Sequence, residues 1–264
     1  MYKSFCCLWY HFGREKEHYM RQIFFKKLLS RLYSTFFSVN LSNQKLELKK
    51  DSRCLVLAPH ADDETIGCGG LILQNPSCFD VYCLTNGFRA VKAELSPEEK
   101  VAIRKREFTS IMEKAGINYY HFFEDVDDQR LIMRYDRFKT ISLTDYDYIF
   151  IPNILEQHRD HKSVAIMLNE LLKERPYKKN VKIVMYEVKT ALALPNAYVD
   201  ISETIDAKMD LLKMYKSQLA PKDFSEAIKG LNSYRGFTFN KKYAEAFCVI
   251  DLNDFKKLCK LYSI

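Results

Sequence analysis

From Arg53 onward, short apolar runs alternate with longer stretches of helical length and composition. Cys54–Ala58 and residues 79–84, 119–123, 148–151 and 181–186 are rich in β-branched or aromatic side chains and only a few residues long, which predicts strands. Residues 65–74, 97–115 and 161–173 lie between them and have the composition of helices. This alternation predicts a Rossmann-like α/β domain over residues 53–264, with a mostly parallel sheet and helices on both faces. Sheets of that class bind ligands beyond the carboxyl ends of their strands, so the loops that follow strands are where chemistry is expected.

Residues 1–52 follow another pattern. Within 15–38, Met20, Ile23, Phe24, Leu28, Leu32 and Phe36 recur near helical spacing, while Arg21, Gln22, Lys26, Ser30, Arg31 and Ser34 gather elsewhere on the helix. Two roles suit such an amphipathic arm. It can rest on anionic lipid as a peripheral membrane contact, or pack its apolar face on the main domain or a second subunit. Residues 41–51 read as a polar connector.

Charge separates the same two regions. Residues 1–53 hold 11 Lys and Arg against 4 Asp and Glu, and residues 54–264 hold 30 against 30, so the arm carries the whole net charge of +7. A neutral body argues against a nucleic-acid partner, which would call for basic residues around the active groove. No apolar run approaches the roughly 18–20 residues of a membrane span. The eight cysteines form no CxxC pair, and Cys54, Cys83 and Cys248 sit in apolar runs as small core residues. Their pattern suits a reducing cytoplasm, with the arm placed at the inner face of the membrane if it binds lipid.

Two loops carry candidate chemistry. The first reads Pro59-His60-Ala61-Asp62-Asp63-Glu64, and Thr65-Ile66-Gly67-Cys68-Gly69-Gly70 follows as a helix begins. Adjacent carboxylates at the end of a buried strand repel one another and lose hydration unless a cation joins them. Capping of the next helix would account for one aspartate and not for the set. The second loop reads Glu156-Gln157-His158-Arg159-Asp160-His161. His60, Asp63 and His161 together make a three-ligand set with a fourth position left for water, as in catalytic zinc sites. Iron(II) could fill the same donors. Zinc lowers the pKa of bound water to about 7 and polarises a carbonyl. Asp62 is then placed to take a proton from that water. His158 could protonate the leaving group or steady the oxyanion, and Asp160 could orient His158. Gly67, Gly69 and Gly70 lack GxGxxG spacing and follow an acidic loop, which discards a dinucleotide site.

At these residues the chain resembles the LmbE-like, PIG-L-type zinc N-acetylglucosaminyl deacetylases. Their His-Pro-Asp-Asp-Glu signature corresponds to His60-Ala61-Asp62-Asp63-Glu64, and their His-Pro-Asp-His to His158-Arg159-Asp160-His161. The resemblance implies zinc on His60, Asp63 and His161, Asp62 as general base, and His158, supported by Asp160, as acid or oxyanion stabiliser. Leu84-Thr85-Asn86-Gly87 is similar to the family's loop after the second strand. Arg104-Lys105-Arg106-Glu107 is similar to its Arg-x-x-Glu helix, where Arg104 would face the substrate. Lys208 through Ser217-Gln218 and Tyr243-Ala244-Glu245-Ala246-Phe247 are similar to its C-terminal segments. Ala61 and Arg159 replace the usual prolines, so each loop loses a rigid turn residue.

The expected activity is zinc-dependent removal of acetyl from an N-acetylated amino sugar, free or lipid-linked, in a glycoconjugate or cell-envelope precursor. Metal-bound water would attack the amide carbonyl. Two other readings use the same residues: a zinc hydrolase of another amide or ester, such as a thiol-conjugate amide, and a catalytically silent scaffold member of the family.

Overall fold

The computed structural model of the protein describes residues 44–220 and 223–261. The amphipathic arm expected at residues 15–38 lies outside them. Eight strands form one sheet among the described residues: β1 (Gln44–Lys45), β2 (Cys54–Ala58), β3 (Phe79–Cys83), β4 (Tyr119–Phe122), β5 (Tyr148–Pro152), β6 (Lys182–Tyr186), β7 (Ala197–Asp200) and β8 (Ala244–Asp251). Their order is β1-β7-β8-β6-β5-β2-β3-β4. All neighbours are parallel except β8, which runs antiparallel to β6 and to β7. The five strands expected from the sequence are β2 to β6. Strands β1, β7 and β8 were not anticipated.

The helices are α1 (Asp63–Gln74), α2 (Pro97–Ala115), α3 (Tyr135–Phe138), α4 (Arg159–Glu174), α5 (Ile205–Leu212), α6 (Lys216–Leu219), α7 (Ser225–Thr238) and α8 (Leu252–Leu261). Cys54 and Val56 of β2 pack into one core with Leu71 of α1, Phe108 of α2 and Leu212 of α5. Leu55 and Leu57 point to the opposite face, as strand alternation requires, and are equally buried. Helices α4 and α8 contact each other, and they contact β5 and β6 respectively. The sheet is therefore covered on both faces, in agreement with the mostly parallel Rossmann-like fold.

Local sequence explains the sharp bounds of α2. Ser96 accepts the Glu99 N–H while the Glu99 carboxylate accepts the Ser96 N–H, Pro97 occupies the first helical position, and Gly116 ends the helix with φ of 79°. The segment 41–51, expected as a polar connector, instead contributes β1. Gln44 N–H donates to Asn196 O and Leu46 N–H to Tyr198 O, and Leu46 and Leu48 pack on the core. Two exposed residues paired through their backbone leave no hydrophobic alternation to detect.

Helix α1 has an ion pair engaged along its length. Lys208 Nζ donates to Ile66 O (2.8 Å), to Asn232 Oδ1 (3.0 Å) and to Glu245 Oε1 (2.8 Å). Glu245 accepts from Gly70 N–H (2.7 Å) and Leu71 N–H (2.9 Å). The two groups that pair with each other in a regular helix, Gly70 N–H and Ile66 O, thus both have outside partners. The glycines of the segment permit this approach. A Cβ on Gly67 would lie 2.2 Å from Tyr186 Cδ2, and one on Gly70 would lie 2.4 Å from Ile201 Cγ2. They serve packing, in keeping with the rejection of a dinucleotide site.

From β2 the chain proceeds outward to β3 and β4 on one side, and to β5 and β6 on the other. The crevice between the carboxyl ends of β2 and β5 is therefore the topological switch point. Both candidate loops flank it.

Candidate active site

The turn from β2 into α1 places the first set of residues. Asp62 adopts φ of 146°, a conformation that residues with a Cβ rarely hold. The buried carboxylate of Glu64 accepts the Asp62 N–H at 3.2 Å, and also the hydroxyls of Thr65 and Tyr215. Glu64 thereby fixes the backbone of the turn. Asp62 precedes α1 but its side chain makes no capping bond, which removes the structural explanation for that carboxylate. Asp63 Oδ2 accepts the His60 N–H at 2.9 Å.

The turn from β5 into α4 supplies the rest, bringing His60 and His161 together across the crevice. Two sets of three donors can be drawn among the described residues. Ring nitrogens of His60, His158 and His161 all lie within 4.8 Å of one another. A tighter set consists of His60 Nδ1, Asp63 Oδ2 and His161 Nε2, with all three separations 3.3 Å. A tetrahedral ion with arms of about 2.0–2.1 Å has ligand–ligand edges of about 3.3–3.4 Å. The tighter set meets that requirement, and it combines one carboxylate with two imidazoles.

The electrostatics also call for a cation. Burial opposes charge on His60, yet hydrogen bonds with Asp160 and Asp63 outweigh it and raise the imidazolium to about 10. Burial likewise opposes charge on Asp63, and His161 and His60 hold its carboxyl far below the ordinary range. Burial, reinforced by the charge of Asp63, pushes Asp62 up. Positive charge is thus strongly favoured between Asp63 and Asp160, and a divalent ion would supply it in place of a proton.

Asp160 takes a different partner from the one expected. Its Oδ2 lies 3.0 Å from His60 Nε2 and 3.9 Å from His158 Nδ1, and its carboxylate also accepts the Gln129 and Leu131 N–H groups. His158 is oriented instead by the backbone of Asp160, whose N–H donates to His158 Nδ1 at 3.2 Å. Burial, then the charges of His60 and His161, lower His158 to about 4, so the ring is neutral at pH 7. With Nδ1 an acceptor, its proton sits on Nε2.

Arg104 is completely buried beneath the first loop. Its guanidinium donates to Ala61 O, to Ser217 Oγ and to Glu107, and its Nε faces Gly87 with no partner. A cavity of about 880 Å³ opens over the site. His60, Asp62, Asp63, Arg104, His158 and His161 line it, together with an apolar wall that includes Val188, Phe224, Ile228 and Leu231. Arg89, Lys92 and Lys189 supply further cations; Arg159 is exposed and is not among the lining residues.

Two acids were not singled out by sequence. Asp128 is 6% exposed and lines the cavity; its Oδ1 makes no hydrogen bond but pairs at 3.7 Å with Arg89 Nε. Glu156 is 1% exposed behind His161. Asp128 ends the acidic run Glu124-Asp125-Val126-Asp127-Asp128 and Glu156 opens the second loop, and no spacing rule separates either from its neighbours.

Residues 55–172 match the model of the PIG-L family, described as GlcNAc-PI de-N-acetylase. The fold is similar to that of N,N'-diacetylchitobiose deacetylase from Pyrococcus horikoshii, with a TM-score of 0.63, 19% identity, and coverage of 89% of this chain and 94% of that one. A deacetylase of teicoplanin biosynthesis aligns with a TM-score of 0.59 and 17% identity over 77% of this chain and 100% of that one. GalB, the 4-carboxy-2-hydroxymuconate hydratase from Pseudomonas putida KT2440, aligns with a TM-score of 0.59 and 16% identity over 75% and 96% of the two chains. One fold thus hosts hydrolases and a hydratase, and the reaction must be argued from the site.

Proposed function

We propose, from the match of residues 55–172 to the PIG-L family model, that the chain is a metal-dependent deacetylase that hydrolyses the acetamide of an N-acetylated amino sugar. The observation that carries the reading is the triangle of His60 Nδ1, Asp63 Oδ2 and His161 Nε2, 3.3 Å on each edge, facing a cavity that Asp62 also lines. These three residues would hold a divalent cation, zinc by preference for two imidazoles and a carboxylate, with iron(II) suited to the same donors. Such an ion supplies a Lewis acid for a carbonyl oxygen and lowers the pKa of water.

The residues of the chain perform the remaining work. Asp62 makes no capping bond and is biased by burial toward proton uptake. It accepts the proton of the attacking water and returns it to the amine nitrogen as the C–N bond breaks, so amide and water become amine and acetate. His158, neutral and protonated at Nε2, donates a hydrogen bond to the carbonyl oxygen as that oxygen gains charge. Asp160 holds His60, and Arg104 supports the turn through Ala61 O. Asp128, whose Oδ1 makes no hydrogen bond and lies 3.7 Å from Arg89 Nε, accepts a hydroxyl of the sugar. A volume of about 880 Å³ lies near the top of the usual range of about 300–1,000 Å³ for ligand pockets, which suits a sugar carrying an aglycone. The apolar wall then meets the aglycone.

The test is acetate release by the zinc-loaded protein from N-acetylglucosamine, N-acetylglucosaminyl lipid and a hydroxymuconate-type hydratase substrate, with metal content measured on the same sample. Acetate release from an amino sugar, at one ion per chain, is the expected result. Hydration without deacetylation, or full activity in metal-free protein, would overturn the reading.

A further inference from the structure

His60 and His161 each present one ring nitrogen to the triangle of donors and direct the other into the protein. Behind His60 stands Asp160, 3.0 Å from Nε2 and held by the Gln129 and Leu131 N–H groups. The environment of His161 repeats this plan with different parts. Its Nδ1 is buried without a hydrogen bond, and the nearest anionic atom is Glu156 Oε2 at 3.7 Å. Glu156 is itself anchored by backbone groups: Oε1 accepts Lys189 N–H at 2.8 Å and Thr190 N–H at 2.7 Å, while Oε2 accepts the Thr190 hydroxyl at 3.3 Å. Its exposure is 1%, and that of His161 is 2%.

A buried carboxylate has no reason to face an imidazole edge unless that edge carries a proton. A ring with its proton on Nδ1 has its lone pair on Nε2, the atom that faces Asp63 and His60. Carboxylates behind ligating histidines commonly fix both the tautomer and the ring plane. We propose that Glu156 is a positioning residue of the metal centre: it holds His161 with its proton on Nδ1 and its lone pair on the metal side. The inference rests on the assignment of His161 as a ligand. Glu156 has a second consequence through Lys189 and Thr190. It ties the ligand to the segment that follows β6, where Val188 and Lys189 line the cavity. One carboxylate thereby registers the substrate wall against the metal set.

The discriminating variant is Glu156→Gln. The amide oxygen still accepts from Lys189 and Thr190, so the loop retains its anchors. The amide NH2 replaces Oε2 and opposes a proton on His161 Nδ1. Zinc affinity is measured by competition with a chromophoric chelator on wild type, Glu156→Gln and His161→Ala, with circular dichroism of the metal-free proteins as the check on folding. Glu156→Gln is expected to bind zinc about 10–100-fold more weakly. Wild-type affinity in Glu156→Gln, alongside loss in His161→Ala, overturns the role of Glu156 alone. Undiminished binding in His161→Ala overturns the ligand assignment beneath it. Should Glu156→Gln fail to fold, 15N-histidine NMR of the zinc-loaded wild type decides. A His161 signal protonated at Nδ1 supports the proposal, and one protonated at Nε2 refutes it.

Discussion

Replacing Lys208 with Met tests whether a buried ion pair is built into the helix that bears Asp63. The side chains of Lys208 and Glu245 are 0% and 1% exposed, so solvent offers no screening to either charge. Met retains most of the aliphatic stem and removes only the ammonium. Three partners lose their donor at once: Ile66 O, Asn232 Oδ1 and Glu245 Oε1. Glu245 keeps the Gly70 and Leu71 N–H groups but loses its counter-charge. Breaking one half of a buried pair costs about 3–5 kcal/mol. At roughly 2–4 °C per kcal/mol for a domain of this size, the unfolding midpoint should fall by about 6–20 °C. The assay is urea and thermal denaturation followed by circular dichroism. The double variant Lys208→Met with Glu245→Gln removes the stranded charge and should regain part of the loss. A single-variant loss below about 1 kcal/mol, or a double variant less stable than the single, would refute the reasoning.

Other outcomes follow from individual contacts. Asp62→Asn should keep wild-type metal content and lose about 10²–10⁴-fold in kcat, measured by acetate release beside metal analysis; a fully active variant removes Asp62 from proton transfer. Asp128→Asn replaces a carboxylate that makes no hydrogen bond through Oδ1 and removes its ion pair with Arg89, so KM should rise with kcat little changed, and steady-state kinetics showing the reverse split would contradict a binding role. Gly67→Ala places a Cβ where Tyr186 Cδ2 stands 2.2 Å away, and overpacking of this kind costs about 1–3 kcal/mol; unchanged urea stability would show that the ring moves freely aside.

The parallel half of the sheet is legible because β2, β3, β5 and β6 are compact apolar runs buried on both faces, and α2 is bounded by a capping box and a glycine that need no tertiary information. Strand β8 is not legible. It opens Ala-Glu-Ala, and Glu245 reads as a surface charge until Lys208 meets it in the core. The six proposed site residues of the two loops, His60, Asp62, Asp63, His158, Asp160 and His161, stand out because they repeat a short pattern of His and Asp at strand ends. Their partners could not. Asp160 lies between two histidines in sequence, and spacing alone assigns it to a neighbour, whereas folding brings His60 to it from a hundred positions away. Arg104, expected to face the substrate, borders the cavity but lies enclosed, because Ala61 O and Ser217 converge on it. Asp128 and Glu156 belong to no repeat, and only the cavity and the imidazole edge reveal them.

The strand order also imposes an order in time. Synthesis runs from the N-terminus, and domains generally fold as units, so the sheet cannot be completed before its last strand is made. The β4 edge has all its neighbours once residue 122 is made, and the proposed metal donors are complete at residue 161. Strand β1 pairs with β7, and β7 with β8, the last strand of the sheet. The strand that joins residues 1–43 to the body therefore has no seat until residue 251 has left the ribosome. The chemistry of this chain is encoded early, and the place of strand β1 in the sheet is settled last.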